Sequence, residues 1–169
     1  MGEIRPFRYN GNQMAHRQSV RAIIIKEQSL LVIKRNKFGM LYYTLPGGGI
    51  ELGEQPEQTL RREMQEEAGL TVGALRPVFL EDGGDLYGVQ YIYLCEYQGG
   101  EPQLSPTSIE AELSAKGQNT YEPMWLPMEQ LTQVPFRSSS VRDAVLQGMR
   151  SGFPETPVQL AWRPETVTK

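Results

Sequence analysis

The order of elements along the chain predicts an α/β layer structure with a mixed β-sheet. Three observations carry that prediction. Apolar, strand-like runs occupy residues 20–26 and 30–34; an uninterrupted helical segment, 57–68, lies between Pro56 and Gly69; and strand-like runs at 72–80 and 87–97 precede a second helical segment. With 169 residues, 39% of them hydrophobic and 22% charged, the chain has the material for one packed core and the charge to stay dispersed in water.

The first two strands, Val20 to Lys26 and Leu30 to Lys34, flank Glu27-Gln28-Ser29 and read as a hairpin. Arg35 to Tyr43 has mixed polarity. Thr44-Leu45-Pro46 and the triple glycine Gly47-Gly48-Gly49 read as irregular backbone, a loop opening toward the helix. Pro56 suits the first helical turn and Gly69 suits the stop, with no Gly or Pro between 57 and 68. Glu81-Asp82-Gly83-Gly84-Asp85 separates the next two strands. Gln98 to Asn119 has no clear period and reads as a long loop, with a helical turn at about Ile109 to Ser114. A short strand, 123–127, is bounded by prolines, and a helical turn follows from Met128 to Leu131. Ser138 to Ser140 cap a helix running to about Met149, with Val141, Val145, Leu146 and Met149 on one face. The expected organisation is a polar lead over 1–18, one domain over 18–150, and a tail over 151–169 that is extended and partly disordered unless Trp162 anchors it.

Several function classes lose support from composition. The longest strongly apolar run, Ala22 to Ile25, is far short of the roughly 20 residues of a membrane-spanning helix. Cys95 is the one cysteine and His16 the one histidine, so cysteine-rich zinc sites and Ser-His-Asp triads lose most of their support. Cys95 alternates with Tyr91, Tyr93 and Tyr97 and reads as a buried structural thiol, while His16 is assigned no role. A reducing cytoplasm is the expected compartment. The net charge is −3, but residues 51–67 hold six acids and two bases, leaving 14 acids and 15 bases elsewhere. A broad nucleic-acid surface is not expected; one localised acidic site is.

On a helical wheel, Leu60, Met64 and Ala68 share an apolar stripe, and Glu66, Glu63 and Glu67 share one arc beside it. Glu63 and Glu67 are a like-charge i, i+4 pair near the helix C-terminus, where the macrodipole also disfavours anions. An Arg62–Glu66 pair would moderate a merely solvated acidic face. The glycine loop before the helix adds carbonyl oxygens, and a hard-oxygen donor set without His or Cys selects Mg²⁺, with Mn²⁺ as a substitute. Carboxylate-bound Mg²⁺ typically awaits substrate phosphates.

The residues Gly48, Glu54, Arg62, Glu63, Met64, Glu66, Glu67, Gly69 and Leu70 match the pattern Gly-x5-Glu-x7-Arg-Glu-U-x-Glu-Glu-x-Gly-U, with U apolar, and the chain here resembles the Nudix hydrolases. Leu45-Pro46-Gly47 and Trp125-Leu126-Pro127 extend the resemblance over roughly 18–150. The resemblance implies a mixed sheet sandwiched between α-helices, and Mg²⁺-assisted attack of water on the pyrophosphate linkage of a nucleoside diphosphate joined to another group. By the same resemblance Glu66 and Glu67 are metal ligands, and Glu63 is a ligand or the water-activating base. The Gly48 carbonyl, or that of Gly47, completes the coordination. Arg62 orients the glutamates, and Glu54 is its partner or a further ligand.

Family members often recruit a further acid from a late loop, for which Glu110 and Glu112 are candidates against a plain solvated surface. Arg35 and Lys37 are candidates to meet phosphates. Tyr42, Tyr43, Tyr87 and Trp125 are candidates to stack a base, although core packing is the simpler reading of each. Tyr87, 17 residues past Leu70, resembles a position accompanying dinucleoside polyphosphate cleavage, whereas the proline of an ADP-ribose-cleaving branch is absent. The leading expectation is a diphosphatase of a free or damaged nucleoside triphosphate, or of a nucleoside diphosphate derivative. The competing ones are a non-catalytic nucleotide sensor and an isomerase or RNA-decapping relative, the last lacking a basic track. A small nucleotide is the expected partner, and a homodimer is a compatible assembly.

Overall fold

The computed structural model describes residues 17–165, and β1 (Gln18–Lys26) is the strand on which it is organised. Its C-terminal end pairs antiparallel with β2 (Ser29–Lys37) through Ile25↔Leu30 and Lys26↔Ser29, the expected hairpin. Its length pairs in parallel with β6 (Val89–Gly99), and its N-terminal half also meets β4 (Gly47–Gly49). β5 (Thr71–Asp82) lies antiparallel to β6, and β8 (Val158–Ala161) lies parallel to the outer edge of β5. On the other side β2 is flanked by β3 (Met40–Thr44) and β7 (Asn119–Pro127), both antiparallel. Mixed pairing is therefore realised as expected.

Alternation along β1 sends Val20, Ala22 and Ile24 to one face and Ile23 to the other. The first face packs on helix α1 (Pro56–Glu63) and its continuation Met64–Ala68, through Leu60, Met64 and Ala68, all fully buried. Burial of Leu60 and Met64 contributes about 1.5–3 kcal/mol each. The second face packs on α4 (Ser139–Ser151) through Val141 and Val145, with Phe136 and Leu131 filling the space beneath. Ser138 caps α4, its Oγ accepting from the Val141 N–H at 3.3 Å. The sheet is thus sandwiched between helices. Two short helices, α2 (Gly84–Tyr87) and α3 (Ile109–Ala115), sit in connections, and a 3-10 turn covers Met128–Gln133.

Four segments differ from the sequence reading. The triple glycine is a strand rather than irregular backbone, because Gly47 at φ 150 lets it lie against β1 where a Cβ would come 2.0 Å from the Val20 carbonyl oxygen. β3 emerges from the mixed-polarity stretch by pairing with the extended end of β2. β7 runs nine residues despite Pro123 and Pro127, which are tolerated because β2 is its one strand partner in the sheet. Tyr87 ends a short helix instead of opening β6. The described part of the tail, 151–165, is anchored through Trp162 as allowed for: β8 joins the sheet and Trp162 stacks on Tyr87, centroids 5.0 Å apart and planes 18° apart. His16 lies outside the described residues. Among the described residues no helix is long and apolar enough to cross a membrane.

Candidate active site

α1 does not continue as a regular α-helix through the acidic segment. Met64–Ala68 forms a π turn, in which the Gly69 N–H returns to the Met64 carbonyl and Gly69 closes the element at φ 67. A π turn widens the helix, and such turns are frequent at functional sites. The uniform wheel therefore places Glu66 and Glu67 imperfectly, and the three carboxylates divide.

Glu63 and Glu67 are buried, at 7% and 3% exposure, against the glycine strand. The Gly47 N–H donates to Glu67 Oε2 at 2.9 Å, and a Cβ on Gly48 would lie 2.2 Å from Glu63 Oε1. Glu66, half-buried, turns to Arg62 instead. One guanidinium gathers the remaining acids. Arg62 Nε and Nη2 donate to Glu54 Oε1 and Oε2 at 2.8 and 3.1 Å, and Nη1 donates to Glu63 Oε1 and Glu66 Oε2, each at 3.2 Å. Glu51 stands 3.7 Å from Nη2. Thr59 Oγ1 and the Glu51 N–H also donate to Glu54, at 2.7 and 3.2 Å. The expected Arg62–Glu66 pair exists, and the same side chain orients Glu63.

Charge follows geometry. Burial pushes the Glu67 carboxyl up to about 8, opposed by Arg21 and the Gly47 N–H. Burial also raises Glu63, with Arg62 opposing. Hydrogen bonds from Arg62, then Thr59, hold Glu54 down to about 2, and Glu54 in turn raises Arg62. Burial favours the protonated form of both carboxyls, and a cation placed between them would favour the anions instead. The donors at hand are hard oxygens, the kind Mg²⁺ or Mn²⁺ takes, so the residues fit the group. Among the described residues no three His, Cys, Asp or Glu side chains stand together as a group that could hold a metal ion. The β1–β4 ladder bears on which carbonyl. The Ile50 N–H donates to Gln18, and the Ala22 N–H to Pro46, so by antiparallel alternation Gly48 spends its backbone groups on Val20 and Gly47 faces away from β1.

Arg21 is a residue that sequence reasoning missed. Its register partner is Gly47; its Nε donates to Gln90 Oε1 at 2.9 Å and its Nη1 to the Leu45 carbonyl at 3.3 Å. Burial lowers its pKa, chiefly opposed by Glu67. The available signal was a lone arginine interrupting the apolar run Val20 to Ile25. Glu81 was also missed: read as part of a turn, it is fully buried in β5 and accepts from Ser138 Oγ.

The late-loop candidates separate. The Gln103 and Ser105 N–H groups donate to the Ala68 and Glu66 carbonyls at 3.0 and 2.8 Å, docking the loop on the helix end. Glu110, at the start of α3, consequently acts electrostatically on both Glu63 and Glu67, whereas Glu112 pairs with exposed Lys116 at 3.0 Å. Arg35 lies 3.5 Å from the Tyr121 ring centroid and 5.6 Å from that of Tyr42, donating to Asn119 Oδ1 at 2.7 Å and to the Thr120 carbonyl at 3.3 Å. Those partners are neutral. Lys37 is exposed at the far end of β2. One face of the Tyr87 ring is taken by Trp162, and Trp125 packs against the α1-side core edge-on to Tyr97. Cys95 is buried, and its thiol is pushed up to about 12 by burial, as a structural cysteine would be.

Comparison with known proteins agrees with this arrangement. The NUDIX domain model matches residues 15–146. MutT4 of Mycobacterium tuberculosis is 30% identical over 135 residues, covering 73% of this chain and 50% of that protein. An ADP-ribose pyrophosphatase of Methanocaldococcus jannaschii is 35% identical over 100 residues, 56% of this chain and 59% of that one. The chain thus spans about half the length of the curated relatives it matches. The crystal structure of a MutT NUDIX hydrolase from Burkholderia pseudomallei shares the fold, with a TM-score of 0.53 at 24% identity over 67% of this chain and 84% of that one. With its glutamates tied by Arg62 on a helix that ends in a π turn, and with the NUDIX domain matched over most of its length, this chain belongs to the NUDIX domain family.

Proposed function

We propose that the protein is a Mg²⁺-dependent hydrolase of a pyrophosphate linkage in a small nucleotide, either a nucleoside triphosphate or a nucleoside diphosphate joined to another group. The observation that carries this reading is the pair of buried carboxylates, Glu63 and Glu67, pressed against Gly47 and Gly48. Glu67 would hold the metal with a glycine carbonyl, the ladder favouring Gly47 over Gly48 for that role, and Glu66 would join it by turning away from Arg62 Nη1. When bound, such an ion stabilises charge on phosphate oxygens and lowers the pKa of coordinated water.

The protein's own groups supply the rest. Glu67 is fixed by the Gly47 N–H and so cannot swing into solvent. Glu63 is the carboxylate proposed to take the proton of the attacking water, and Arg62 orients it through Nη1. Glu54 acts on Arg62 rather than on substrate, holding the guanidinium plane by a two-point contact. Glu110 faces the same site and would adjust its charge. Arg35, whose hydrogen-bond partners are neutral, keeps its positive charge for a phosphate.

The test is release of phosphate from a panel of nucleoside triphosphates, ADP-ribose, dinucleoside polyphosphates and NADH with Mg²⁺, for the parent and Glu67→Gln. Turnover on at least one compound, lowered a hundredfold or more in the variant, supports the reading. Equal turnover in a folded Glu67→Gln removes the metal-site assignment, and binding without hydrolysis across the panel leaves a nucleotide sensor.

A further inference from the structure

The stretch matched by the family model ends at residue 146, yet the chain beyond it is bound into the domain. Phe153 meets Phe79 edge-on at 6.3 Å, Arg76 donates to the Pro154 carbonyl, and β8 extends the sheet from Phe79↔Val158 to Asp82↔Ala161. After β8 the contacts change in kind. The Ser139 N–H donates to the Arg163 carbonyl at 3.2 Å, and the Arg163 guanidinium reaches Ser140 Oγ at 3.1 Å and Asp143 Oδ2 at 3.0 Å. These bonds fix the tail on the first turn of α4. Its last described residue, Glu165, forms an ion pair with Arg137, and Trp162 covers a face of Tyr87.

Arg137 joins this tail to the candidate site. Its guanidinium lies 3.8 Å from the Tyr42 ring centroid and 5.7 Å from that of Tyr87. Tyr42, 7% exposed, also meets Arg35, which stacks on Tyr121. Trp162 stacks on Tyr87, and from Tyr87 rings and guanidiniums alternate without a break through Arg137, Tyr42 and Arg35 to Tyr121, linking the tail to α2, β3, β2 and β7. We propose that Trp162 and Glu165 are positioning residues for nucleotide binding, clamping Tyr87 and Arg137 so that the Arg137–Tyr42 contact sets Tyr42 and Arg35 against the substrate. This rests on the nucleotide-hydrolase reading above.

The physical reason lies in what each contact restrains. Arg137 has a side chain 21% exposed, and without the Glu165 carboxylate its guanidinium gains by turning to water instead of lying on Tyr42. Without Trp162, Tyr87 loses its stacked partner, and the second ring beside Arg137 is released. None of the contacts that Trp162 and Glu165 make involves Glu63, Glu66 or Glu67. Loss of the clamp should consequently weaken binding and spare the chemical step.

Steady-state kinetics with Mg²⁺ on the panel compound the parent turns over best, for Glu165→Gln, Glu165→Asp, Trp162→Ala and Trp162→Phe, tests the proposal, with each assay run well below the variant's melting temperature. Glu165→Gln and Trp162→Ala should raise KM about five- to twentyfold with kcat within about threefold of the parent, and the Asp and Phe variants should recover most of the loss. A lowered melting temperature with unchanged KM would mean the tail only stabilises the fold, and overturns the proposal. Should Trp162→Ala fail to fold, the near-isosteric Glu165→Gln decides alone. If the parent hydrolyses none of the panel, the hydrolase reading falls by itself. Calorimetric Kd values for the same nucleotides then decide the clamp: weakening in Glu165→Gln supports it, and unchanged affinity, or a parent that binds none of them, overturns it.

Discussion

The backbone N–H of Gly47 donates to Glu67 Oε2 at 2.9 Å, so the carboxylate most deeply buried beside the helix is held by the strand opposite it. Gly47 and Gly48 serve that contact differently, and their alanine variants should fail differently. At Gly48 a Cβ would overlap only the carboxylate end of Glu63, a flexible group that can move aside. Gly48→Ala is expected to melt within about 3 °C of the parent while losing tenfold or more in turnover. At Gly47 the overlap is with the Val20 carbonyl oxygen and φ is 150, so Gly47→Ala should cost about 1–3 kcal/mol or more. Thermal melting and turnover on the two variants check this, and full turnover by Gly48→Ala would contradict it.

Arg62 ties Glu54, Glu63 and Glu66 together with a planar fork. Lysine keeps the charge and lacks the fork, so it cannot hold Glu54 at two points and still reach the other carboxylates. Arg62→Lys should lower kcat by about 10–100-fold with a smaller change in KM. A lysine variant with parental kcat would show that charge alone is needed there.

Metal-free stability should depend on pH with a sign set by Glu67. Its native carboxyl, raised by burial to about 8, holds its proton more tightly than the unfolded chain does. The native state then binds more protons than the unfolded one between about pH 4.5 and 8, and stability falls as pH rises through that window. Mg²⁺ needs the ionised carboxylate, so its stabilisation should run the other way and be larger at pH 8.5 than at pH 6. At a hundredfold excess over Kd the shift at the higher pH should reach about 5–10 °C. Melting curves with EDTA or Mg²⁺ at both pH values test this; a Mg²⁺ shift that shrinks with pH would refute it.

Much of the site was legible in the sequence because its residues are local. Pro56, Gly69 and the stripe Leu60, Met64, Ala68 specify one helix by spacing alone, and the glutamates of the Nudix pattern travel with it. The π turn was not legible, because side-chain periodicity does not reveal which carbonyl each N–H returns to, and Glu66 and Glu67 were placed on too regular a wheel. Gly47 to Gly49 look like loop by composition; the strand exists because β1 lies beside it. β8 is short and carries no pattern of its own, and it forms where the open edge of β5 accepts it. Arg21 and Glu81 acquire their surroundings from Gly47, Gln90 and Ser138, partners 26 to 69 residues away.

In the proposed reaction Glu63 serves chemistry more than capture. Parent and Glu63→Gln should be compared with one nucleotide and Mg²⁺, binding by calorimetry and hydrolysis by phosphate release. The variant is expected to keep a Kd within about tenfold of the parent, or roughly 1.4 kcal/mol, with turnover lowered by about a hundredfold or more. A folded variant that binds as the parent does and hydrolyses as fast would contradict it.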